Sequence, residues 1–511
     1  MPPDSPRPPF SLDRRELLKG VAAAGVVSAL GGLSGCRGRT PRRRDLIRAE
    51  NAKAGTTDWL LVNTRVDPAT RYRCPWIEGY CSHTSLRAGE KLAVMVSTNP
   101  PSPVVLDVYR MGYYGGKGGR HMARLGPFQG VVQPDPEVGP ERLRDCLWEP
   151  AAELTIPGDW PSGVYLGKLT AEREGVQSYV VFIVRDDREC DVLWKSSDTT
   201  WAAYNRWPDH YSLYDSGVKE WYWGPSVRVS WNRPYGKYCQ ILDAPLSQGS
   251  GEFLLWEFPT AYWLEREGID VSYMSSVDLH HEPDLLRAKI LLSVGHDEYW
   301  SLEMHDEVRA ARGAGLNVAF LSGNTCYGVI DFHSDHARVP RRAIRRVGQF
   351  GPIEQRNVDD GFTELLLLPV RGPDESLLIG GRTCYPLTGG ADWVCRGERS
   401  WVFAGTGMRD GDRIPGLVGW EWHGEPAPIP GLEVVAEGFI RRWGGGAKYA
   451  ATVYPGPKGN FVFNAATCWW CDGLSEPPGY QHPVFMRARP QGPDERVQRI
   501  TANLIKRAIT S

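Results

Sequence analysis

Residues 289–300 have the sequence KILLSVGHDEYW, an apolar run that ends in a cluster of polar side chains. The part from Ile290 to Val294 predicts a strand buried on both faces, and Gly295 ends that strand. Ser301 has the position of an N-cap for a following helix, and a second apolar run covers residues 316–321. Strand, polar loop, helix and strand in this order indicate a parallel α/β unit. Ligands of such sheets bind beyond the carboxyl ends of the strands.

The polar residues that follow the first strand therefore lie where a site is expected. In an extended backbone alternate side chains point the same way, so His296 and Glu298 share one side and Asp297 faces away. A base and a metal-ligating carboxylate would then share one pocket. The structural alternatives are a neutral histidine that is hydrogen-bonded at a strand end, and a carboxylate that is stabilised by the dipole of the following helix.

The N-terminus has the pattern of an export signal rather than of a folded segment. Twin arginines at positions 14 and 15 precede the apolar run 21–30, which is too short to span a bilayer, and the lipoprotein box LSGC follows at 33–36. We expect a signal peptide that ends at Cys36, lipid attachment there, and a basic tether over residues 37–50. The protein would then leave the cytoplasm by the twin-arginine route and be lipid-anchored in the periplasm or at the cell surface. That route favours a cofactor loaded before export.

Composition limits the class of partner. The chain has 59 Lys and Arg against 61 Asp and Glu, so no basic field is available for nucleic acid. About 475 residues remain after the signal, which is enough for two or three domains. The 20 tryptophans and 21 tyrosines fit a large aromatic core or a cleft that grips flat ligands. We expect a small-molecule substrate and membrane contact only through the lipid anchor, and a homo-oligomer stays an open alternative to a monomer.

The 11 cysteines allow disulfides in an oxidising compartment. The short-range candidates are Cys74 with Cys81, Cys384 with Cys395, and Cys468 with Cys471. The last pair has the C-x-x-C spacing of a redox or zinc half-site, but zinc would need a second pair nearby and none is evident. A structural role is the favoured interpretation.

Two patterns divide the mature chain. Residues 51–188 alternate short apolar segments with Gly and Pro turns, which predicts a β-sandwich domain. Residues 189–511 form the predicted α/β domain, in which a helix over 252–267 precedes a strand over 269–273. After residue 340 the pattern is strand-rich until a terminal helix over 497–509.

The chain resembles the large (beta) subunit family of N,N-dimethylformamidase. The segments that carry the resemblance are SVGHDEYW (293–300), WAAYN (201–205), RPY (233–235) and FNAAT (463–467). The resemblance implies a class I glutamine-amidotransferase-like α/β domain preceded by a β-sandwich. It also implies hydrolysis of a small amide at one mononuclear non-haem iron, which two tyrosines and one glutamate bind. A histidine and a second glutamate activate water and transfer protons in that family.

Residue by residue, the resemblance implies Tyr204, Tyr235 and Glu298 as metal ligands and His296 and Glu421 as catalytic residues. The competitors are Tyr211, Tyr214 and Tyr238 for the two tyrosines, and Glu437 for the second glutamate. Each of these side chains also has a purely structural interpretation, which is core packing for a tyrosine and solvation for a loop glutamate.

The implied cofactor, Fe(III), would acidify bound water and polarise the substrate carbonyl, and phenolate oxygens are hard ligands that suit it. His296 would act as general base and then protonate the leaving amine. The sequence thus predicts an exported metal-dependent hydrolase that cleaves a small amide or a related C–N bond.

Two alternatives stay open. Cys326 could be a nucleophile after a strand, but a Gly-x-Cys-x-Gly elbow would place cysteine where Thr325 stands, so Cys326 is one residue late. A different class is a non-catalytic surface lipoprotein that binds carbohydrate or peptide through an aromatic cleft.

Overall fold

The structure is a computed structural model, and it describes residues 45–218, 222, 224–237, 248–351, 368–383, 390–442, 445–480 and 492–510. The predicted signal peptide, Cys36 and most of the predicted tether lie outside these residues, as do Tyr238 and Cys384. Helix α1 (Leu46–Asn51) begins inside the segment that was predicted as tether, and its Ile47 is buried in the core. The tether expectation therefore does not hold for the last residues of that segment.

Two sheets form the first region. Their strands are β1 (Glu78–Cys81), β2 (Ser85–Leu86), β3 (Lys91–Ser97), β4 (Ser102–Met111), β5 (Gly119–Gly130), β6 (Pro150–Thr155), β7 (Gly163–Ala171) and β8 (Val176–Val184). The sheet orders are β1-β3-β6 and β2-β8-β7-β4-β5, and all pairings but that of β2 with β8 are antiparallel. Val94 from the smaller sheet and Leu106 and Val180 from the larger one share one hydrophobic core. The strand-rich character predicted for this region is confirmed.

Strands and helices alternate in the following part. The elements are β9 (Cys190–Lys195), α2 (Asp198–Tyr204), β10 (Arg228–Ser230), α3 (Phe258–Arg266), β11 (Val271–Met274), α4 (Ser276–His281), β12 (Ala288–His296), β13 (Tyr299–Trp300), α5 (Leu302–Ala314), β14 (Asn317–Gly323), β15 (Gly328–His333) and β16 (Ala343–Gln349). A five-residue π-helix at Phe253–Glu257 precedes α3, so the helix predicted over 252–267 is present but changes its winding.

The remaining part is strand-rich until the last helix, as predicted. It contains α6 (Ser376–Ile379), β17 (Gly381–Thr383), β18 (Gly390–Val394), β19 (Arg413–Gly419), β20 (His423–Pro426), β21 (Glu433–Arg442), β22 (Gly445–Pro455), β23 (Phe461–Asn464) and α7 (Glu495–Thr510). Within the described ranges, none of the helices is both long and apolar enough to cross a bilayer.

A seven-stranded sheet organises the second region, with the order β11-β9-β12-β14-β23-β22-β21. Its first five strands are parallel, and the last three form antiparallel pairs. The parallel unit predicted from residues 289–321 is confirmed as β12, α5 and β14. The Ser301 hydroxyl accepts a hydrogen bond from the Met304 backbone N–H and caps α5 as expected. Strands β12 and β14 therefore end side by side, and the loops beyond them meet at one edge.

The disulfide predictions are wrong for two of the three pairs. Cys74, Cys81, Cys468 and Cys471 are all free, buried thiols, and Cys395 is free as well. The pair Cys468–Cys471 lies on a single buried turn of 3₁₀-helix. Burial raises the pKa of both of its thiols well above the ordinary value, which disfavours the reactive thiolate and hence a redox role.

Candidate metal centre

The end of β12 turns sharply at a glycine. Gly295 has a φ of +71°, in the left-handed region, and a Cβ at this position would lie 2.6 Å from the Cβ of Trp256. Glycine is therefore required both by the backbone angle and by the close approach of the π-helix. The turn delivers His296 into the protein interior, where its ring packs edge-on against Trp256 at 6.3 Å between centroids.

His296, Glu298 and Glu421 form one buried group. The Nε2 atom of His296 contacts the Glu421 carboxylate and lies 3.3 Å from Oε2 of Glu298. One ligand atom from each residue lies within 4.8 Å of the others, which is the spacing of a candidate metal site. All three side chains are almost completely buried, so water does not screen their interaction.

Glu421 reaches the group from the β19–β20 connection. The backbone carbonyl of Glu421 approaches Gly323, where a Cβ would be only 2.2 Å from that oxygen. Asn324, the next residue, has a φ of +51° and donates from Nδ2 to the Glu421 carboxylate at 2.7 Å. The turn after β14 thus places an amide beside the carboxylate.

Tyrosines surround Glu298. The Tyr204 hydroxyl donates to Oε2 of Glu298 at 2.6 Å, and the Tyr214 hydroxyl lies 3.1 Å from Oε1. Tyr214 also donates to the Tyr204 oxygen at 2.7 Å and is in hydrogen-bonding contact with the Tyr299 hydroxyl. Helix α2 carries both Thr200 and Tyr204. The Thr200 hydroxyl accepts a hydrogen bond from the backbone N–H of Glu298 at 3.0 Å, and this bond holds the helix, and with it Tyr204, next to Glu298.

Asp297 faces the opposite way, as the alternation predicted. Its carboxylate accepts from Nζ of Lys195 at 2.7 Å and from the Ser293 hydroxyl at 2.6 Å. Both members of this ion pair are fully buried at the ends of adjacent parallel strands. The pair anchors the loop from behind and leaves the other two polar residues to face the site.

Electrostatics favour a cation here. Burial alone would lower the pKa of His296, but the adjacent carboxylates of Glu421 and Glu298 raise it to about 9. Burial and the charge of Glu421 raise the pKa of Glu298 above its ordinary value. Burial, reinforced by the charge of Glu298, also keeps the pKa of the Tyr204 and Tyr214 phenols well above the usual range. A positive ion in this group would lower the pKa of Glu298 and of both phenols, and it would compete with the proton on His296.

Four of the five predicted site residues lie together: His296, Glu298, Glu421 and Tyr204. The described contacts do not connect Tyr235 with Glu298. Its ring lies edge-on to Trp201 at 6.3 Å, and its charged neighbours are Arg233 and Arg342. That Tyr235 binds metal stays a prediction.

The competitors lie in different places. Tyr214 is in the cluster, whereas the ring of Tyr211 faces two arginines, Arg142 and Arg144, each at 4.6 Å. Glu437 is exposed on β21 and pairs with Arg396 at 3.1 Å, so it is not part of the buried group. Cys326 is buried in a hydrophobic cluster, one residue beyond Thr325, which occupies the position of an elbow nucleophile.

Sequence reasoning missed Asn324, Tyr299 and Arg346, whose Nη1 donates to the Tyr299 hydroxyl at 3.1 Å. A usable signal existed for Asn324, which follows a buried strand just as His296 does. Tyr299 adjoins Glu298 and could have been included. Nothing in the sequence marks Arg346, because its position depends on strand pairing across a different sheet.

Comparison with known proteins bears on this geometry. No curated protein sequence matches the chain significantly. The family described as N,N-dimethylformamidase beta subunit-like, C-terminal, matches residues 105–482. The match includes the buried His–Glu–Glu group, the tyrosines around it and most of both regions. The chain therefore belongs to the N,N-dimethylformamidase beta subunit-like family.

Proposed function

We propose that this protein is a metal-dependent hydrolase that cleaves a small amide or a related C–N bond. The observation that carries the proposal is the buried group of His296, Glu298 and Glu421, bordered by phenols, in a member of this family. We also propose that the architecture is a β-sandwich over residues 51–188 followed by an amidotransferase-like α/β domain over residues 189–511. Two sheets that share a core, and a mainly parallel sheet after them, support that assignment.

The donor set fits a mononuclear Fe(III). Carboxylate and phenol oxygens are hard ligands, and Glu298 has Tyr204 and Tyr214 within hydrogen-bonding distance. Tyr204 and Glu298 would hold the ion. The contacts favour Tyr214 as the second phenol, and the resemblance favours Tyr235. When bound, the ion supplies a Lewis acid that acidifies water and polarises a carbonyl oxygen.

The residues of the chain itself would move the protons. His296 and Glu421 are in direct contact, and the raised pKa of His296 means that it holds a proton at neutral pH in the metal-free site. The unprotonated partner can take a proton from water, and the protonated partner can give one to the leaving amine. Asn324 orients the carboxylate through its Nδ2, while its Oδ1 is buried without a hydrogen-bond partner in the described part of the chain. That oxygen can accept from water or substrate.

Metal analysis and an amide screen test the proposal. We expect stoichiometric iron and a tyrosinate-to-iron charge-transfer colour that weakens in Tyr204→Phe, together with hydrolysis of at least one small amide. Tyr214→Phe and Tyr235→Phe identify the second phenol, since only the true ligand should change the colour. A colourless, iron-free protein after expression with iron would contradict the metal assignment. Capture of a carbohydrate or peptide by such a protein would instead favour a binding lipoprotein.

The role of Glu421 has a matched control in Glu437. We expect Glu421→Gln to lower kcat by about 10²-fold or more, because the group that exchanges protons with His296 is lost. Glu437→Gln should leave kcat unchanged, because this side chain is exposed and pairs with Arg396. Steady-state kinetics on the best amide substrate measure kcat for both variants. An equal loss of kcat in the two variants would contradict the assignment.

We further propose export by the twin-arginine route and lipid attachment at Cys36, with a small-molecule substrate and no nucleic-acid partner. The support is the order of the two N-terminal motifs and the balanced charge. We expect Cys36→Ala to move the protein from the membrane fraction to the soluble fraction in cell fractionation. Unchanged membrane association would contradict the anchor.

A further inference from the structure

We propose that Arg346 is a positioning residue that keeps a hydrogen-bond chain directed toward Glu298. The chain runs through Tyr299, Tyr214 and Tyr204, which we call the phenol chain. This inference rests on the proposed function, because it concerns how the phenols and the carboxylate are prepared for a cation.

The contacts of the phenol chain are continuous. Arg346 Nη1 lies 3.1 Å from the Tyr299 hydroxyl, which is in hydrogen-bonding contact with the Tyr214 hydroxyl. The Tyr214 oxygen lies 2.7 Å from the Tyr204 oxygen, and Tyr204 lies 2.6 Å from Glu298. All five side chains are almost fully buried, so bulk water does not compete for these bonds.

The groups at the two ends of the phenol chain fix its polarity. A guanidinium group has only donors, so the Tyr299 oxygen must accept from Arg346. At the other end the Glu298 carboxylate accepts from Tyr204, so the Tyr214 hydrogen is directed to the Tyr204 oxygen or to Glu298, and the Tyr299 hydrogen is directed to Tyr214. Each hydroxyl therefore donates toward the carboxylate. A side chain that can also accept, placed at position 346, would allow the Tyr299 hydrogen to turn away from Tyr214.

The fold holds Arg346 at this point. It lies on β16, which pairs with β15, and β15 pairs with the short strand that carries Tyr299. The guanidinium also stacks on the Tyr214 ring at 4.9 Å, and its Nη2 donates to the Leu213 carbonyl at 3.3 Å. One group thus positions two of the three tyrosines.

The aligned donors stabilise negative charge at the end of the phenol chain, where the Glu298 carboxylate lies. Charge-assisted hydrogen bonds directed at an oxygen anion stabilise it more strongly in a dry interior than in water. A cation-binding carboxylate, and any phenol oxygen that joins it, would be held in a single orientation. Arg346 would then influence cation affinity without touching the cation.

Arg345 provides a matched control. It is the neighbouring residue on the same strand, but it points to the other face and pairs with Glu141 at 3.0 Å. Arg345→Gln removes the same charge from the same strand without a contact to the phenol chain.

The test uses the full-length protein loaded with Fe(III) and measures affinity by competition with a chelator. We expect Arg346→Gln to weaken iron binding about tenfold or more, as loss of a hydrogen bond to a charged group implies, and to shift the charge-transfer band. Arg346→Lys should keep the wild-type band, because lysine also has only donors. Arg345→Gln should match the wild type.

Tyr299→Phe gives a second test that does not depend on the folding of an Arg346 variant. It cuts the phenol chain after Arg346 and should weaken iron binding, and Arg346→Gln should then have a smaller effect than it has in the wild type. Wild-type affinity in Tyr299→Phe, or equal behaviour of Arg346→Gln and Arg345→Gln, would overturn the inference alone. A wild-type protein that takes up no iron would instead overturn the proposed function together with it.

Discussion

At the scale of the residue, one backbone angle decides where the histidine of the site points. Gly295 turns with a φ of +71° against Trp256, and the alternation that follows separates His296 and Glu298 from Asp297. That separation could be predicted from spacing alone, because side chains alternate in extended backbone. Glu421 could be found only by resemblance, since its partners come from distant parts of the chain.

Gly295→Ala tests this turn. A Cβ would meet Trp256 at 2.6 Å, and the left-handed angle costs a further ~1–2 kcal/mol for an L-residue. We expect the free energy of unfolding to fall by more than about 2 kcal/mol, with loss of iron binding. Chemical denaturation measures the first effect and metal analysis the second.

Gly313 is the control for that substitution. It lies in α5, and a Cβ there meets nothing within 4 Å, so Gly313→Ala should raise the free energy of unfolding by ~0.4–1 kcal/mol. A stable Gly295→Ala variant with full metal occupancy would show that the turn is not required.

At the scale of the element, the loop after β14 is held by a histidine whose tautomer is fixed. Nε2 of His423 accepts from the backbone N–H of Thr325 at 3.0 Å, and Nδ1 lies 2.6 Å from Oδ1 of Asn464. That oxygen also accepts from the N–H of Ala466, so Nδ1 must carry the hydrogen. Both hydrogen bonds of His423 form only when its ring is neutral. They hold the loop in which Asn324 lies beside Glu421.

This element should make the protein sensitive to acid. Burial lowers the pKa of His423 from 6.5 to about 4, despite the hydrogen bond to Asn464. As the pH falls below 6.5, His423 therefore takes up a proton in the unfolded chain, whereas it stays neutral in the folded chain. From pH 7.5 to pH 5 the folded state should lose about 2 kcal/mol through this group alone.

His423→Gln is the comparison, because the amide can accept from Thr325 and donate to Asn464 without titrating. Urea denaturation at the two pH values should show a smaller acid loss in this variant than in the wild type. An equal loss in both proteins would contradict the assignment.

Secondary-structure elements were predicted most accurately where the pattern of apolar residues was long. Strand β12, helix α5 and strand β14 follow from apolar runs and an N-cap, whereas the two residues of β13 are too few to give a pattern. The π-helix at Phe253–Glu257 was predicted as ordinary helix, because a five-residue change of winding leaves the spacing of apolar residues almost unaltered.

At the scale of the whole molecule, a buried ion pair joins the first region to the second. Both Nη atoms of Arg110 in β4 donate to the carboxylate of Glu265 in α3, at 2.7 and 3.0 Å. Tyr273 adds a third hydrogen bond at 2.8 Å, and both charged side chains are completely buried. Sequence could not predict this link, since a buried charge pair looks like two surface residues.

Glu265→Gln should lower the free energy of unfolding by about 3–5 kcal/mol, because it leaves the buried Arg110 charge without its paired carboxylate. Glu437→Gln breaks the half-exposed pair with Arg396 and should cost less than about 1 kcal/mol. Denaturant unfolding of both variants makes the comparison. Similar small losses would mean that the two regions are held together by their apolar contacts instead.

The wide sequence separation of the site residues has a kinetic consequence. Tyr204, Glu298 and Glu421 meet only when strands from most of the second region have paired, and such long-range contacts form late in folding. No short fragment of the chain can bring the three together. If iron binds as proposed, its colour would report completion of the tertiary structure. In a refolding experiment it should appear after the secondary structure has recovered.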